Sequence, residues 1–367
     1  MRPKKISIMI WTILLILPYS VIILIAWIKV RKAGAILSGE KVSDDSLPDV
    51  SVIVAARNEE VRLPLLISDL QSLDYPTGKL EVFIVDDHSS DATARIIKEA
   101  GNIIYLLANG EGKKHAIASG MDRAKGELVL TTDADCRLPS GWVKAYAESY
   151  RKENADLIIG QVKPVHRSGL ISIFSELEFY SLQAVTGGLA TAKKPVMCNG
   201  ANLGFRKSSI KDYLKSVKSG LASGDDMFLL HSTKKSGGKI VWLNNTRGTV
   251  SNMLPARLKE FLRQRSRWAG KSIYYRDIDT IVLSISTLVA NLTIFAAIIL
   301  VLINPTHWPF AIILYAAKTI PEILLLSGYL PRPEKLRLLL LYLPASLLYP
   351  VHVLLTVIIS MFSTKKW

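Results

Sequence analysis

The chain has 367 residues, of which 49% are hydrophobic, and its formal net charge is +15 at pH 7. This length fits one large domain or two small ones, and the hydrophobic fraction lies at the upper edge of globular usage. The basic residues cluster beside apolar runs and on one late helix, so we expect contacts with membrane lipids and phosphate groups, and no binding of nucleic acid. Two cysteines, Cys136 and Cys198, are too few for a disulfide framework or a four-ligand zinc site, and we interpret both as buried packing residues.

The first predicted element is a long apolar helix over Ile6–Ile28, a run without any charged residue. As a helix this run is long enough to cross the hydrocarbon core of a bilayer, which is about 30 Å thick. A secretory signal peptide is the alternative. However, the apolar stretch is longer than the usual hydrophobic region of about 7–15 residues, and no small-residue cleavage site follows it. We predict a membrane helix within residues 1–32.

Strand-like and helix-like segments then alternate, which is typical of a mostly parallel sheet covered by helices. In chain order we predict a strand at 49–55, a helix at 59–70, a strand at 80–85, a helix at 92–100 that Asp91 caps, a strand at 103–107, a helix at 113–124 and a strand at 127–131. The continuous run Val52–Val54 indicates a strand that is buried on both faces. Together these elements predict an α/β domain over residues 48–255.

Polar residues follow the predicted strands at the points where the strands end: Arg57 and Asn58 after the first, Asp86 and Asp87 after the second, and Asp133 and Asp135 after the fourth. The carboxyl ends of parallel strands meet at one edge of a sheet, and ligands bind at that edge, so we expect these side chains to converge. Asp133 and Asp135 could hold Mg²⁺ or Mn²⁺ against substrate phosphates, although a lone pair of this kind is more often a solvated turn. Asp86 and Asp87, side by side at a buried strand end, could accept hydrogen bonds from a nucleobase.

Asp225 and Asp226 follow Gly224 at the start of another predicted helix. One interpretation is structural, because carboxylates favour the positive end of a helix dipole. The other makes Asp226 a general base that takes the proton of an attacking hydroxyl group. Asn199 and Gly200 lie in a turn whose small residues would let a ligand approach the backbone closely.

A basic amphipathic helix is predicted at about 256–274, within an interface segment that we place at 256–277. Gln264, Arg267 and Trp268 share one face of it through i, i+3 and i+4 spacing. A helix lying on the membrane surface explains this pattern. Arginine also forms forked hydrogen bonds to phosphate, and tryptophan offers a flat face to a sugar or lipid, so both interpretations stay open.

The C-terminal region, residues 278–367, contains three further apolar runs at Ile281–Ile303, Trp308–Leu330 and Leu338–Met361. The basic connector 331–337 should be cytoplasmic by the positive-inside rule, which makes the central domain cytoplasmic and the protein a multi-pass protein of the cell (inner) membrane. The lysine pairs at 4–5 and 365–366 conflict with this orientation, and a re-entrant segment or a shallow first helix would remove the conflict. Lys318 and Glu322 lie within an apolar run, where we expect them to form an ion pair, with an acceptor path as the alternative.

The motifs, taken in order, resemble those of family 2 glycosyltransferases, in the membrane-bound branch that includes cellulose, chitin and hyaluronan synthases and ceramide glucosyltransferase-like enzymes. The segments that carry the resemblance cover about 49–275 and are Val52–Glu59, Val85–Asp91, Gly112-Lys113, Asp133-Ala134-Asp135, Gly224-Asp225-Asp226 and Gln264–Trp268. The resemblance implies a GT-A fold, an inverting mechanism and a nucleotide-diphospho-sugar donor, most often a UDP-sugar.

Roles for individual residues follow from the same resemblance. It implies that Ala55, Arg57 and Glu59 border the nucleotide, that Asp86 and Asp87 lie near the base, and that Lys113 lies near the nucleotide or its phosphates. It further implies that Asp133 and Asp135 contact the sugar diphosphate and a Mg²⁺ or Mn²⁺ ion, and that Asp226, beside Asp225, is the base. Gln264, Arg265, Arg267 and Trp268 would close over the diphosphate and acceptor, with Asn199 and Gly200 near the acceptor.

The chain departs from the family pattern at Asp225, where Glu is usual, and at Ala118, where Asn is common. It also has only about three C-terminal spans, which favours transfer of a single sugar to a lipid-linked or glycan acceptor in cell-envelope glycan synthesis. A processive polysaccharide synthase and a catalytically inactive nucleotide-sugar-binding membrane protein remain alternatives. A nucleotidyltransferase would have little use for the second acid pair, and the central domain is too large for a transporter.

Overall fold

The structure is a computed structural model that describes residues 3–34, 43–218, 220 and 224–362. Its α-helices are α1 (Pro3–Gly34), α2 (Leu63–Gln71), α3 (Thr93–Lys98), α4 (Lys113–Arg123), α5 (Trp142–Glu153), α6 (Leu170–Thr191), α7 (Tyr213–Ser216), α8 (Asp225–Lys235), α9 (Leu258–Ala269), α10 (Ile278–Ile303), α11 (Trp308–Tyr329) and α12 (Arg332–Phe362). Its strands are β1 (Val50–Ala56), β2 (Leu80–Asp86), β3 (Ile104–Leu107), β4 (Leu128–Asp133), β5 (Leu157–Gly160), β6 (Val162–Val165), β7 (Leu203–Arg206), β8 (Ile240–Leu243) and β9 (Val250–Met253). Lys365 and Lys366, which conflict with the predicted orientation, lie outside the described residues.

The chain divides into two compact units. Among the described residues, the sheet unit comprises 43–165, 197–218, 220 and 224–254, and the helical unit comprises 3–34, 166–196 and 255–362. Residues 166–196, which we predicted to be part of the central α/β domain, therefore cluster with the apolar helices.

The sheet unit is built on a seven-stranded sheet in the order β3-β2-β1-β4-β7-β5-β8. The strands β1 to β4 are parallel where they pair, as are β5 and β8, whereas β7 is antiparallel to both β4 and β5. β6 and β9 form a separate parallel pair. Val52, Ile53 and Val54 are fully buried, as expected for a strand covered on both faces. The mostly parallel α/β sheet predicted from the sequence is confirmed.

The register of the strands aligns their carboxyl ends. Ala56 of β1 is opposite Asp86 at the end of β2, and Ala55 is opposite Asp133 at the end of β4. β7 runs in the other direction and begins at Leu203, opposite Thr131. The segment 197–202 therefore enters the sheet at the same edge at which β4 ends, and this edge carries the candidate site.

The helical unit contains the helices that the sequence predicts to cross a membrane. Among the described residues, four helical segments are long and apolar enough to do so: Thr12–Lys32, Ile278–Ile303, Pro305–Tyr329 and Glu334–Phe362. α6 packs closely against α1 because Gly188 has no side chain. A Cβ atom at this position would lie 2.4 Å from the carbonyl oxygen of Ala26.

Several boundaries differ from the prediction. α2 begins at Leu63 with a proline in its first turn, where the missing N–H costs no hydrogen bond, and not at residue 59. α12 begins at Arg332, so all but the first residue of the predicted connector 331–337 belongs to a helix. α9 ends at Ala269, five residues before the predicted end at 274, and a short 3₁₀ helix follows it. Asp91 accepts the backbone N–H of Thr93 at the start of α3, although Ala92 occupies the cap position.

Candidate active site

Lys113 connects two of the predicted acidic motifs in the sheet unit. Its Nζ atom forms an ion pair with Asp133 at the end of β4, and it lies 3.8 Å from Oδ2 of Asp225 at the start of α8. Burial opposes a charge on this lysine, but the carboxylates of Asp133 and Asp225 outweigh burial and raise the pKa of Lys113. Lys113 therefore stays protonated between carboxylates that come from motifs about 90 residues apart.

Asp226 faces the backbone of Gly200. Gly224 adopts a φ of 89° immediately before α8, a conformation that glycine reaches without strain, and this turn sets the direction of Asp225 and Asp226. The N–H of Gly200 donates a hydrogen bond of 3.1 Å to Oδ2 of Asp226. Asn199 has a local role, because its Oδ1 accepts the N–H of Ala201 two residues later.

Gly200 contacts the lysine and both acids so closely that a side chain would disturb them. A Cβ atom there would lie 3.3 Å from Lys113 Nζ, 3.5 Å from Asp226 Cβ and 3.7 Å from Asp225 Oδ2. We predict that Gly200→Ala lowers the activity about tenfold and leaves the melting temperature nearly unchanged, because a shift of a few tenths of an ångström disturbs catalytic geometry more than packing.

The matched control for this variant is Gly220→Ala. Among the described residues, no atom lies within 4 Å of a Cβ placed at Gly220. The measurement is the initial rate of sugar transfer together with the thermal unfolding midpoint of each variant. Equal activity of Gly200→Ala and Gly220→Ala would show that the close approach is unimportant.

Asp133 and Asp135 are suited to hold a divalent cation. Ligand atoms of Asp133, Asp135 and Cys136 all lie within 4.8 Å of one another. The two carboxylates are partly exposed, with side-chain exposures of 34% and 31%, and they supply the hard oxygen ligands that Mg²⁺ and Mn²⁺ prefer. Burial and then Asp133 raise the pKa of Asp135, so a cation between the two acids would relieve their repulsion.

The two cysteines differ in their surroundings. Cys136 is buried, as predicted, whereas part of Cys198 is exposed to solvent. Burial followed by Asp133 raises the pKa of the Cys136 thiol well above its usual value. A neutral, soft thiol is a poor ligand for Mg²⁺ or Mn²⁺, so the carboxylates fit such an ion and Cys136 does not.

Asp86 and Asp87 are both buried at the end of β2, where they organise neighbouring loops. Asp86 Oδ1 accepts the N–H of Ser89 at 3.0 Å. Asp87 Oδ1 accepts the N–H of Gly112 at 2.7 Å, and its Oδ2 lies 3.5 Å from Arg57. Gly112 directly precedes Lys113, so Asp87 fixes the start of α4 and thereby the position of the lysine.

Arg62 is a neighbour of the acidic cluster that was not singled out from the sequence. Its Nη1 atom lies 3.7 Å from Glu59 and 3.9 Å from Asp135. Burial and Asp135 raise the pKa of Glu59, which is consistent with an excess of negative charge at this edge. The sequence feature that could have pointed to Arg62 is its spacing of three residues from Glu59. Ala55 lies on β1 opposite Asp133.

The predicted diphosphate and acceptor residues of α9 belong to the helical unit. Arg265 is only 3% exposed, and its Nε donates a hydrogen bond of 2.5 Å to Glu178. Its guanidinium also binds Gln264 and stacks 4.3 Å from the centre of the Trp268 ring. Arg267, two residues later, is exposed. Arg265 thus has a carboxylate partner inside its own unit, and Glu178 is a residue that we had not singled out.

The arrangement of the sheet has a counterpart among solved structures. A mostly parallel sheet with acidic residues at its carboxyl edge is similar to that of the mannosyltransferase PcManGT from Pyrobaculum calidifontis, solved in complex with GDP-Man and Mn²⁺. The TM-score is 0.56 at 17% sequence identity, and the match covers 95% of this chain and 99% of that chain. At this identity the likeness shows the fold, which is the GT-A fold expected from the sequence.

Sequence comparison matches part of the chain to a glycosyltransferase family. Residues 51–214 match the model of the family described as Glycosyl transferase family 2. Over 126 residues the chain is 32% identical to the beta-monoglucosyldiacylglycerol synthase of Trichormus variabilis, a match that covers 32% of this chain and 27% of that protein. Over 133 residues it is 33% identical to the undecaprenyl-phosphate 4-deoxy-4-formamido-L-arabinose transferase of Pectobacterium carotovorum, covering 34% of this chain and 40% of that protein.

The chain thus spans less than half the length of each of these two curated relatives. Its matched segment is nevertheless the one that contains β1 to β4 and the Asp133–Asp135 motif. Residues 51–214 thus match glycosyltransferase family 2, the family whose ordered motifs this sequence resembles.

Proposed function

We propose that this protein is an inverting, metal-dependent glycosyltransferase that moves a sugar from a nucleotide-diphospho-sugar, most often a UDP-sugar, to a membrane-associated acceptor in cell-envelope glycan synthesis. The observation that carries the proposal is the cluster in which Lys113 bridges Asp133 and Asp225, with Asp226 beside them. Four helices apolar enough to cross a membrane favour a lipid-linked acceptor. The names of the two relatives, which refer to a glucosyldiacylglycerol and an undecaprenyl phosphate, support the same class of acceptor.

The donor would bind across the carboxyl edge of β1, β2 and β4. Arg57, Glu59 and Ala55 lie at the end of β1 or just after it, next to Asp87, and they would border the nucleotide. The protonated Lys113 would bind the phosphates, since a buried cation among acids is well placed to receive a diphosphate together with a metal ion.

Asp133 and Asp135 would hold Mg²⁺ or Mn²⁺ at this edge. When bound, such an ion neutralises the charge that builds up on the departing diphosphate. The preference for this ion rests on the carboxylate pair and on the raised pKa of Asp135, which reflects burial and uncompensated negative charge.

Asp226 would act as the general base. In a transfer with inversion, the acceptor hydroxyl attacks the sugar in line with the leaving diphosphate, and a carboxylate on the acceptor side takes its proton. Gly200 N–H fixes Oδ2 of Asp226, and the start of α8 stabilises the negative charge of both Asp225 and Asp226. These contacts hold the carboxylate of the base in a fixed orientation.

The remaining predicted contacts stay part of the proposal. The predicted roles of Gln264, Arg265, Arg267 and Trp268 toward the diphosphate and the acceptor stay predictions. Asn199 and Gly200 would border the acceptor. The catalytic domain would face the cytoplasm from the inner membrane, as the basic connector at 331–337 predicts.

The function is tested by incubating the purified full chain with Mn²⁺ or Mg²⁺, UDP-, GDP- or dTDP-sugars and a membrane lipid extract. We expect release of the nucleoside diphosphate and transfer of labelled sugar to the lipid fraction, with UDP-sugars as the best donors. Nucleotide binding without any turnover would instead favour an inactive nucleotide-sugar-binding protein. Long water-soluble products would favour a processive synthase.

A further inference from the structure

A small cavity, lined by apolar side chains and by several polar ones, lies among the apolar helices of the helical unit. It has a volume of about 70 Å³ and is lined by side chains of α1, α6, α11 and α12. A cavity needs about 10–15 Å³ of such volume to hold one water molecule, so this cavity has room for a group of several heavy atoms and not for a whole lipid. Burial of a polar side chain in apolar surroundings costs free energy, so it matters which hydrogen bonds each polar side chain of the lining forms.

One wall of the cavity carries the carboxylate of Glu322, and both of its oxygens accept hydrogen bonds. Nζ of Lys318 donates hydrogen bonds of 2.9 Å and 3.1 Å to the two carboxylate oxygens of Glu322. The hydroxyl groups of Tyr19 and Tyr342 donate to the same carboxylate, one to each oxygen. The ion pair expected between Lys318 and Glu322 is present, and the two charges cancel.

The other wall carries a second balanced carboxylate. Glu178 Oε2 accepts a hydrogen bond from Arg265, and its Oε1 lies 3.2 Å from Nε2 of His352. The cavity therefore has no excess positive charge. A phosphate group placed here would meet two carboxylates, each of which already neutralises a cationic side chain, and like charges at short range disfavour it.

Two polar groups on the lining still have hydrogen-bonding capacity. The Tyr349 hydroxyl lines the cavity and forms no hydrogen bond within the part of the chain that the structure describes. Lys318 has three N–H donors, of which two are used by Glu322, and its Nζ lies 5.5 Å from the centre of the Tyr349 ring. A carboxylate such as Glu178 can accept further donors beyond the two that it has.

We propose that this cavity binds the hydroxyl-bearing end of an uncharged membrane lipid, and that Tyr349 contacts it. A hydroxyl group matches the lining because it can accept from Lys318 or Tyr349 and donate to a carboxylate oxygen. The absence of net charge favours it over a phosphate head. This binding does not depend on the proposed sugar transfer, because it is measured without any donor.

The test uses the full chain in detergent and measures retained lipid by native mass spectrometry with three probes. These are dioleoylglycerol, its 3-acetyl ester without the free hydroxyl, and dioleoyl phosphatidic acid. We expect dioleoylglycerol to bind most tightly. Tyr349→Phe should weaken its binding about three- to tenfold, the value of one hydrogen bond, while the acetyl ester is affected little.

Tyr180→Phe is the matched control for this substitution. The Tyr180 hydroxyl is buried and, like that of Tyr349, has no hydrogen-bond partner in the described residues, but it does not line the cavity. Both variants should keep the wild-type melting temperature, because neither loses a hydrogen bond. Unchanged binding in Tyr349→Phe, an equal loss in Tyr180→Phe, or tighter binding of phosphatidic acid would each overturn the proposal.

Discussion

Replacement of Asp226 by asparagine is expected to lower the rate of sugar transfer by about 10²–10⁴ while nucleotide binding stays nearly intact. The amide cannot take the proton of the acceptor hydroxyl. It has one acceptor oxygen, so it keeps one of the two backbone hydrogen bonds that the carboxylate accepts, from the N–H of Gly200 at 3.1 Å or from that of Met227 at 2.8 Å, and this bond should hold the start of α8 in place. The measurement combines single-turnover transfer rates with calorimetric titration of UDP.

Asp212→Asn provides the matched control, because Asp212 is an exposed residue that caps the short helix α7 through the N–H of Lys215. Asparagine caps a helix as well as aspartate does, so this variant should retain full activity and stability. If Asp226→Asn were as active as Asp212→Asn, Asp226 would not be the base, and Asp225 would become the candidate.

Removal of divalent cations is expected to abolish transfer, and added Mn²⁺ or Mg²⁺ should restore it. Asp135→Asn should lower the rate by about 10²–10³, a loss comparable to that of one electrostatic contact to a developing negative charge. The same variant should require a higher cation concentration, because only Asp133 of the carboxylate pair remains. Binding of Mn²⁺ can be followed by electron paramagnetic resonance without any substrate.

The control for the cation experiment is Asp122→Asn, which removes an exposed carboxylate from α4 outside the acidic cluster. This variant should bind Mn²⁺ as the wild type does. Full activity in the presence of a chelator would contradict the metal dependence. It would leave Lys113 as the main source of positive charge for the diphosphate.

The sequence predicts much of the sheet, because its strands are continuous apolar runs that end in polar residues. The strands β1 to β4 lie within one or two residues of their predicted positions. The convergence of Lys113, Asp133 and Asp225 could be anticipated only as a consequence of strand order. Parallel strands place their carboxyl ends together, and no spacing within the sequence fixes the distances.

Other features could not be predicted because they depend on distant pairing. β7 has only four residues, and its antiparallel position between β4 and β5 determines where Gly200 enters the site. The sequence indicated a close approach at Gly200 but not its hydrogen bond to Asp226. The hydroxyl groups around Glu322 come from residues as far away as Tyr19, and a tyrosine in an apolar run gives no sign of its partner.

The two arginines of α9, at positions 265 and 267, belong to one motif but have different surroundings. Successive residues of an α-helix are rotated by about 100° around its axis, so these two side chains are about 200° apart and point to nearly opposite faces. Arg265 is enclosed with Glu178 as its counter-ion, whereas Arg267 meets solvent. Exchange of the enclosed arginine would strand a negative charge in apolar surroundings and impair folding of the helical unit. Exchange of the exposed arginine would report on substrate contact, so a mutational scan of this short segment measures two unrelated properties.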